Sequence, residues 1–396
     1  MEYQDHQSRF QEFVRRWPMD AAYYIWGTSH TAEELCSLFQ GRLNILGFVD
    51  SDAGKWGTRL FDRPVLSPEE FFAKRGRTQC IIASIAYGEI IFNLERRGFV
   101  NGADMCVSWR FLGIHRYMAC RKLHLLRANL FITSYCTLRC RHCSMKIPYF
   151  KRHRHDSAEA VLSTVDSYFR WVDYVERFDI LGGEPFLHPN IEEITGQIAE
   201  RYSERISQLS LFSNGTITPS NRMLEIMKQY RIKVDLGDYR KCVPGIRSQV
   251  GLFLQVLESH GIDYSLPAND WVDLTYVAED RTNWGPEKMS EVCRNCGVRC
   301  QTLYDEKLYY CYMGLGASLS EYCAEEPGDY FDLSASEHQD KGKLLAFDLD
   351  CAPKGYVAYC RHCGGWRGTN QHAVPAGEQL PAGMAGNPET EERDIT

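Results

Sequence analysis

The sequence predicts an α/β chain with a cysteine-rich end: a first unit over 1–120, a second over 121–290, a small domain over 291–372 and a flexible tail over 373–396. Three observations lead there. Short apolar runs alternate with helix-length stretches as far as residue 290, the pattern of parallel sheets built from βα units. Hydrophobic residues make up 44% and charged residues 24%, which is globular composition and excludes wholesale disorder. Of the 16 cysteines, all eight from Cys293 onward fall before residue 364.

The first unit begins with a strand at Tyr23–Trp26, a turn at Gly27-Thr28-Ser29-His30 and a helix over Thr31–Phe39. A second strand over Ile45–Val49 ends at Asp50, and a third covers Cys80–Ser84. Between them Ser67 is placed to cap a helix whose first residue is Pro68. Strand, glycine turn, helix, strand and acid in that order resemble a dinucleotide-binding, Rossmann-like unit. The turn departs from that pattern, since Ser29 replaces the glycine that lets backbone reach a pyrophosphate. Nucleotide binding and a scaffold or substrate-docking role both remain open for this unit.

In the second unit, strands are predicted at 128–133, 177–181, 208–213 and 232–236, with helices at 157–175, 190–202 and 220–229. Spacings of roughly 25–50 residues fit a whole or partial (β/α) barrel, which places chemistry at the C-terminal ends of its strands.

Composition also bounds partners and location. A net charge of −7 gives no nucleic-acid footprint. The apolar runs fall short of the roughly 20 residues a membrane helix requires. The start, MEYQDHQSRF, has no apolar core of a secretory signal, so a cytoplasmic location is expected. Disulfides do not persist there, and clustered thiols in such a chain point to metal. Five scattered cysteines (Cys36, Cys80, Cys106, Cys120 and Cys242) read as small inert side chains.

Cys136, Cys140 and Cys143 follow the first strand of the second unit within eight residues. Structural zinc takes four ligands and a cubane has four irons, so three thiolates leave one iron open. The Cys-x3-Cys-x2-Cys spacing resembles the signature of the radical S-adenosylmethionine (radical SAM) superfamily. That resemblance implies a [4Fe–4S] cluster whose open iron is chelated by SAM, with reductive cleavage giving a 5′-deoxyadenosyl radical that takes hydrogen from substrate. Reduced flavodoxin or ferredoxin is the implied electron donor. His142 stands where the family usually has an aromatic residue against adenine, and imidazole can stack similarly. Gly182-Gly183-Glu184-Pro185 resembles the family's GGEP element, in which Glu184 would accept from the SAM ammonium. Ser213 and Asn214 stand where the family contacts the ribose and carboxylate. All three elements fall at predicted strand ends.

The later cysteines resemble the twitch and SPASM extensions of this superfamily. Asp305-Glu306-Lys307 reads as a hairpin turn that sets Cys300 opposite Cys311, and Cys360-x2-Cys363 returns later. The resemblance implies one auxiliary [4Fe–4S] cluster on Cys300, Cys311, Cys360 and Cys363. Cys293 and Cys296 are reserves, for a replaced ligand or a second cluster. Glu306 departs from the glycine usual at that turn. Zinc is the competing reading, but the two Cys-x2-Cys pairs stand much farther apart than the about 15–20 residues of a zinc ribbon.

The expected function is hydrogen abstraction from a small polyhydroxylated substrate (a sugar, aminocyclitol or nucleotide-linked molecule), leading to dehydrogenation, epimerisation or rearrangement. A peptide-modifying enzyme is the first alternative, and a non-catalytic iron–sulfur or zinc protein the second. Oxidation of an alcohol carbon also needs a base, for which Asp238, Tyr239, Lys241 and Asp270 are candidates near late strand ends. The basic run 151–155 reads as a solvated loop or a grip on a substrate anion, and His188 as a residue starting a helix or a proton shuttle.

Overall fold

The computed structural model describes residues 6–381, apart from 29, 40, 75, 77, 85–86, 268–270, 297–299, 335–339 and 367–369. The chain divides into two compact units, Glu2–His124 and Leu125–Thr396.

The first unit is built on strands β1 (Ala22–Trp26), β2 (Asn44–Val49), β3 (Arg59–Leu60), β4 (Arg63–Leu66), β5 (Gln79–Ile82) and β6 (Met105–Val107), in the sheet order β3-β4-β2-β1-β5-β6. Only the β3–β4 pair is antiparallel. Period-two alternation along β1 sends Tyr23 and Ile25 into one apolar cluster and Tyr24 and Trp26 into another, so the sheet is buried on both faces. Ser67 and Glu70 form the expected helix start as a reciprocal capping box, with N···O distances of 3.1 and 3.0 Å. Asp50 is engaged within the protein: it accepts from Thr28 and pairs with Lys55 at 3.0 Å. Ser29 lies outside the described residues.

The second unit carries β7 (His124–Phe131), β8 (Tyr174–Leu181), β9 (Ile206–Ser213), β10 (Lys233–Leu236), β11 (Tyr264–Ser265), β12 (Trp271–Val272), β13 (Thr302–Tyr304), β14 (Lys307–Tyr309), β15 (Tyr330–Asp332) and β16 (Ala373–Val374). Eight of these form one open sheet in the order β11-β10-β9-β8-β7-β13-β14-β15, and β12 pairs separately with β16. No closed barrel forms among the described residues, which agrees with the partial barrel expected. Helices Ala158–Trp171, Ile191–Tyr202 and Asn221–Gln229 connect the parallel strands. Ser157 and Ser220 cap the first and third, accepting from Ala160 and Met223 at 3.2 and 3.0 Å.

Two features of the C-terminal third differ from the sequence expectation. The hairpin β13–β14 extends the main sheet, because β13 pairs with the edge of β7 through Thr302–Asn129 and Leu303–Leu130. An edge strand's open backbone groups are satisfied that way. At its turn Asp305 and Glu306 both have positive φ (51° and 52°), so Glu306 occupies the left-handed conformation for which glycine is usual. The second feature is the start of the expected flexible tail. Residues 373–381 are ordered against the loop after β7, through bonds that local composition could not foretell.

Candidate active site

The loop that follows β7 carries Cys136, Cys140 and Cys143, and the turn after β8 is fastened to it. Gly183 donates to the Thr133 carbonyl at 2.8 Å and Glu184 to the Tyr135 carbonyl at 2.7 Å. A Cβ on Gly182 would stand 2.6 Å from the Thr133 oxygen, and one on Gly183 would overlap the Tyr135 carbonyl. These glycines therefore admit the neighbouring loop, and both also line the central cavity.

Glu184 is fully buried. Its carboxylate accepts from Ser213 Oγ (2.9 and 3.1 Å to the two oxygens), from the Asn214 amide (2.8 Å) and from the Phe186 amide (3.2 Å). Burial pushes the carboxyl up to about 7, against the opposing pull of these bonds. Glu184 is thus a brace between the strand ends of β8 and β9, and it does not line the cavity. Pro185, also buried, begins the short turn behind it.

A cavity of about 310 Å³ opens at these strand ends. The three cysteines, His142, Ser213 and Asn214 are among its walls. Tyr239, Trp271, Tyr312, Trp366, Arg127 and Cys300 line it as well. All three cluster-loop sulfurs have N–H donors. Cys136 accepts from Leu138 N (3.4 Å) and Asn214 Nδ2 (3.6 Å), Cys140 from Gln379 Nε2 (3.3 Å), and Cys143 from the Ile147 and Met145 amides. Burial, then mutual repulsion with Cys143, holds the Cys136 thiol up at about 12, and Cys140 is raised for the same two reasons. Buried neighbouring thiols with N–H donors aimed at them suit thiolates held by a bound cation. Among the described residues no three His, Cys, Asp or Glu side chains close on a single metal ion. A four-iron cluster spreads its ligands around a larger body, so the trio fits that group.

His142 lies between two carboxylates, 3.8 Å from Asp273 and 3.8 Å from Glu378. Burial raises the Asp273 carboxyl, but bonds from His142 and Thr275 outweigh it and hold the group below the usual range. Of the three base candidates among the described residues, Tyr239 alone reaches the cavity, and burial raises its phenol so that it stays protonated. Asp238 is held by Arg240 at 2.7 Å, and that bond keeps its carboxyl low. Lys241 faces a separate shallow depression with Arg240 and Arg247. Asp270 lies outside the described residues.

The basic run is structural. The rings of His153 and His155 bond Ser134 O and Thr133 Oγ1 at 2.8 and 2.9 Å, and Arg154 N donates to Ser134 Oγ at 2.8 Å. His188 is buried, with its ring 2.8 Å from Asp156 O and accepting from Asn190 N at 3.1 Å at the start of a helix.

The charges around Cys300 differ from those around the other three cysteines of its expected set. Backbone register sets it opposite Cys311, but its thiol lies against the charges of Arg127, Asp179 and Arg177. Cys311 instead shares its surroundings with Cys360, Cys296 and Cys363, and Cys293 shares a hydrogen bond with Cys360. Arg281 clamps the Cys360 and Cys363 carbonyls at 3.0 and 2.7 Å. Sequence reasoning also missed Lys146, which lies buried between the two cysteine groups. Its ammonium sits 4.3 Å from the Tyr322 ring and 5.5 Å from the Tyr359 ring, and its charge acts on both Cys143 and Cys363.

Residues 130–237 match the model of the radical SAM superfamily, a span that includes the three cysteines, the glycine turn and Ser213-Asn214. The chain is 24% identical over 192 residues to the antilisterial bacteriocin subtilosin biosynthesis protein AlbA of Bacillus subtilis (strain 168). That match covers 44% of this chain and 38% of the relative's length. Among solved structures, BtrN in complex with AdoMet and 2-DOIA is 15% identical with a TM-score of 0.38, covering 61% of this chain and 93% of that one. Native anSMEcpe with bound AdoMet and Cp18Cys peptide is 12% identical with a TM-score of 0.39, covering 64% and 93%. At these scores the likeness is partial. The cysteines, the glycine turn and Ser213-Asn214 thus come together at the strand ends of one sheet, and the stretch that holds them, residues 130–237, is a radical SAM superfamily domain.

Proposed function

We propose that the chain holds a SAM-binding [4Fe–4S] cluster on Cys136, Cys140 and Cys143 and uses it to take a hydrogen atom from a small polyhydroxylated molecule. The observation that carries this reading is the single cavity that brings those cysteines together with Gly182, Gly183 and Asn214. When bound and reduced, by flavodoxin or ferredoxin in a cytoplasmic setting, the cluster supplies the electron that cleaves the SAM sulfonium to a 5′-deoxyadenosyl radical. The protein's part is to bind, orient and exclude water. Backbone at Gly182 and Gly183 faces the cavity and offers the SAM ammonium a partner, since the Glu184 carboxylate is already engaged. His142, steadied by Asp273 and Glu378, offers a flat face to adenine. Trp271, Trp366 and Tyr312 supply flat apolar walls of the kind that stack on sugar rings.

Protonated Tyr239 suits a hydrogen-bond donor better than a base. Dehydrogenation, epimerisation and rearrangement all remain compatible with this cavity. We assign an auxiliary cluster to Cys293, Cys311, Cys360 and Cys363, because these thiols gather while Cys300 turns to Arg127. The match to a bacteriocin biosynthesis protein favours a second reading, in which the substrate is a peptide.

Anaerobically reconstituted, dithionite-reduced protein with SAM should release 5′-deoxyadenosine. Intact clusters with no release would overturn the enzyme reading. Deuterated sugars, aminocyclitols and peptides, followed for label in the 5′-deoxyadenosine, separate the substrate classes.

A further inference from the structure

Residues 372–380 pair first with β12 and then return to the cluster loop. His372 O accepts from Asp273 N at 2.8 Å, and β16 pairs with β12 through Trp271–Val374 and Val272–Ala373. Beyond the pair, Gly377 has a φ of 81° and packs on Tyr239, where a Cβ would come within 2.8 Å of the Tyr239 Cβ. Any side chain there would lift the segment off the ring. Next, Arg141 N donates to Glu378 O at 2.7 Å and Leu380 N to Arg139 O at 2.8 Å, an antiparallel bridge between Cys140 and Gln379.

The Gln379 side chain is fully committed. Its oxygen accepts from Arg139 N at 2.7 Å, which fixes the orientation of the amide. Its nitrogen then donates to Gly377 O at 2.7 Å and to Cys140 Sγ at 3.3 Å. Asn214 caps Cys136 in the same way, from the other side of the loop.

We infer that residues 372–380 are a strap that closes the cluster loop, and that Gln379 is a positioning residue whose amide steadies the Cys140 thiolate. This rests on the radical SAM reading above. An N–H directed at a ligand sulfur favours the reduced form of the cluster that sulfur holds, so its loss makes the potential more negative.

The test uses the full-length reconstituted protein. Hydrogen exchange should find the amides of Arg139, Arg141 and Leu380 protected, and Gly377→Val should speed their exchange by at least about tenfold. Fast exchange in the wild type, or no change in the variant, would overturn the strap. Gln379→Met keeps the shape but removes the donor, and it covers the case in which Gly377→Val does not fold. Its cluster potential should be more negative at unchanged iron content, and an unchanged potential would overturn the role of Gln379. Neither readout depends on SAM cleavage by the wild type, so a failure of the strap and a failure of the superfamily chemistry are told apart.

Discussion

Ser213 at the end of β9 donates to the buried carboxylate of Glu184 after β8, 2.9 and 3.1 Å from its two oxygens. Two motifs that each looked like a ligand contact are therefore first of all contacts to each other. They hold the strand ends in register beside the cysteine loop, and the cavity is what remains between them.

This contact carries a pH dependence. Burial lifts the Glu184 carboxyl from 4.5 to about 7, so the folded protein keeps the proton that the unfolded chain has released. Stability from this group is full below about 4.5, falls as pH rises toward 7, and is level above. The stability difference, wild type minus Glu184→Gln, should fall by up to about 3 kcal/mol across that window. Urea unfolding at several pH values measures it, and a pH-independent difference would show an unperturbed carboxyl.

Replacing Cys136, Cys140 and Cys143 together by Ala should remove about four irons per chain and all 5′-deoxyadenosine formation. Iron analysis and chromatography of the SAM products check both, and residual cleavage would move the site elsewhere.

The auxiliary assignment separates by single substitutions. Cys293→Ala, Cys360→Ala or Cys363→Ala should lower the iron content toward about four per chain while leaving some SAM cleavage. Cys300→Ser should leave the iron unchanged. Loss of iron from Cys300→Ser with none from Cys293→Ala would restore the ligand set expected from hairpin register, and zinc in place of iron would remove the auxiliary cluster.

Gly183 allows the turn after β8 to touch the cluster loop. Gly183→Ala drives a methyl into the Tyr135 carbonyl, and such overpacking costs about 1–3 kcal/mol. A lower melting temperature and poorer iron retention should appear together. A variant as stable and iron-rich as the wild type would mean the loops are not in contact.

Asp179 is 1% exposed and holds both Arg127 (2.5 Å) and Arg177 (2.8 Å). Asp179→Ala takes the carboxylate from Arg127 and leaves Arg177 only Asp235, and breaking a buried pair in this way costs about 3 kcal/mol. Denaturant titration should show that loss, and a change under about 1 kcal/mol would place these charges in water.

Much of the second unit was legible because its cues are local. Strand endings at Leu181, Ser213 and Leu236 were read to the residue, and Ser157 and Ser220 cap the helices they announced. Asp238 and Lys241 looked like bases because they follow a strand end. No sequence pattern shows that Arg240 already neutralises the first, or that the second faces away.

The sequence by itself determined the alternating α/β architecture, the cysteine trio and the superfamily they signal, since periodicity and short spacings act over a few residues. Only the tertiary structure decided which distant groups meet. Cys300 turned to Arg127 and Asp179 while Cys293 met Cys360, and Gln379 crossed the length of the unit to reach Cys140. The physical reason is strand order: β13 joins β7 and β16 joins β12 by long-range backbone pairing, and those pairings choose the side chains that share a cavity.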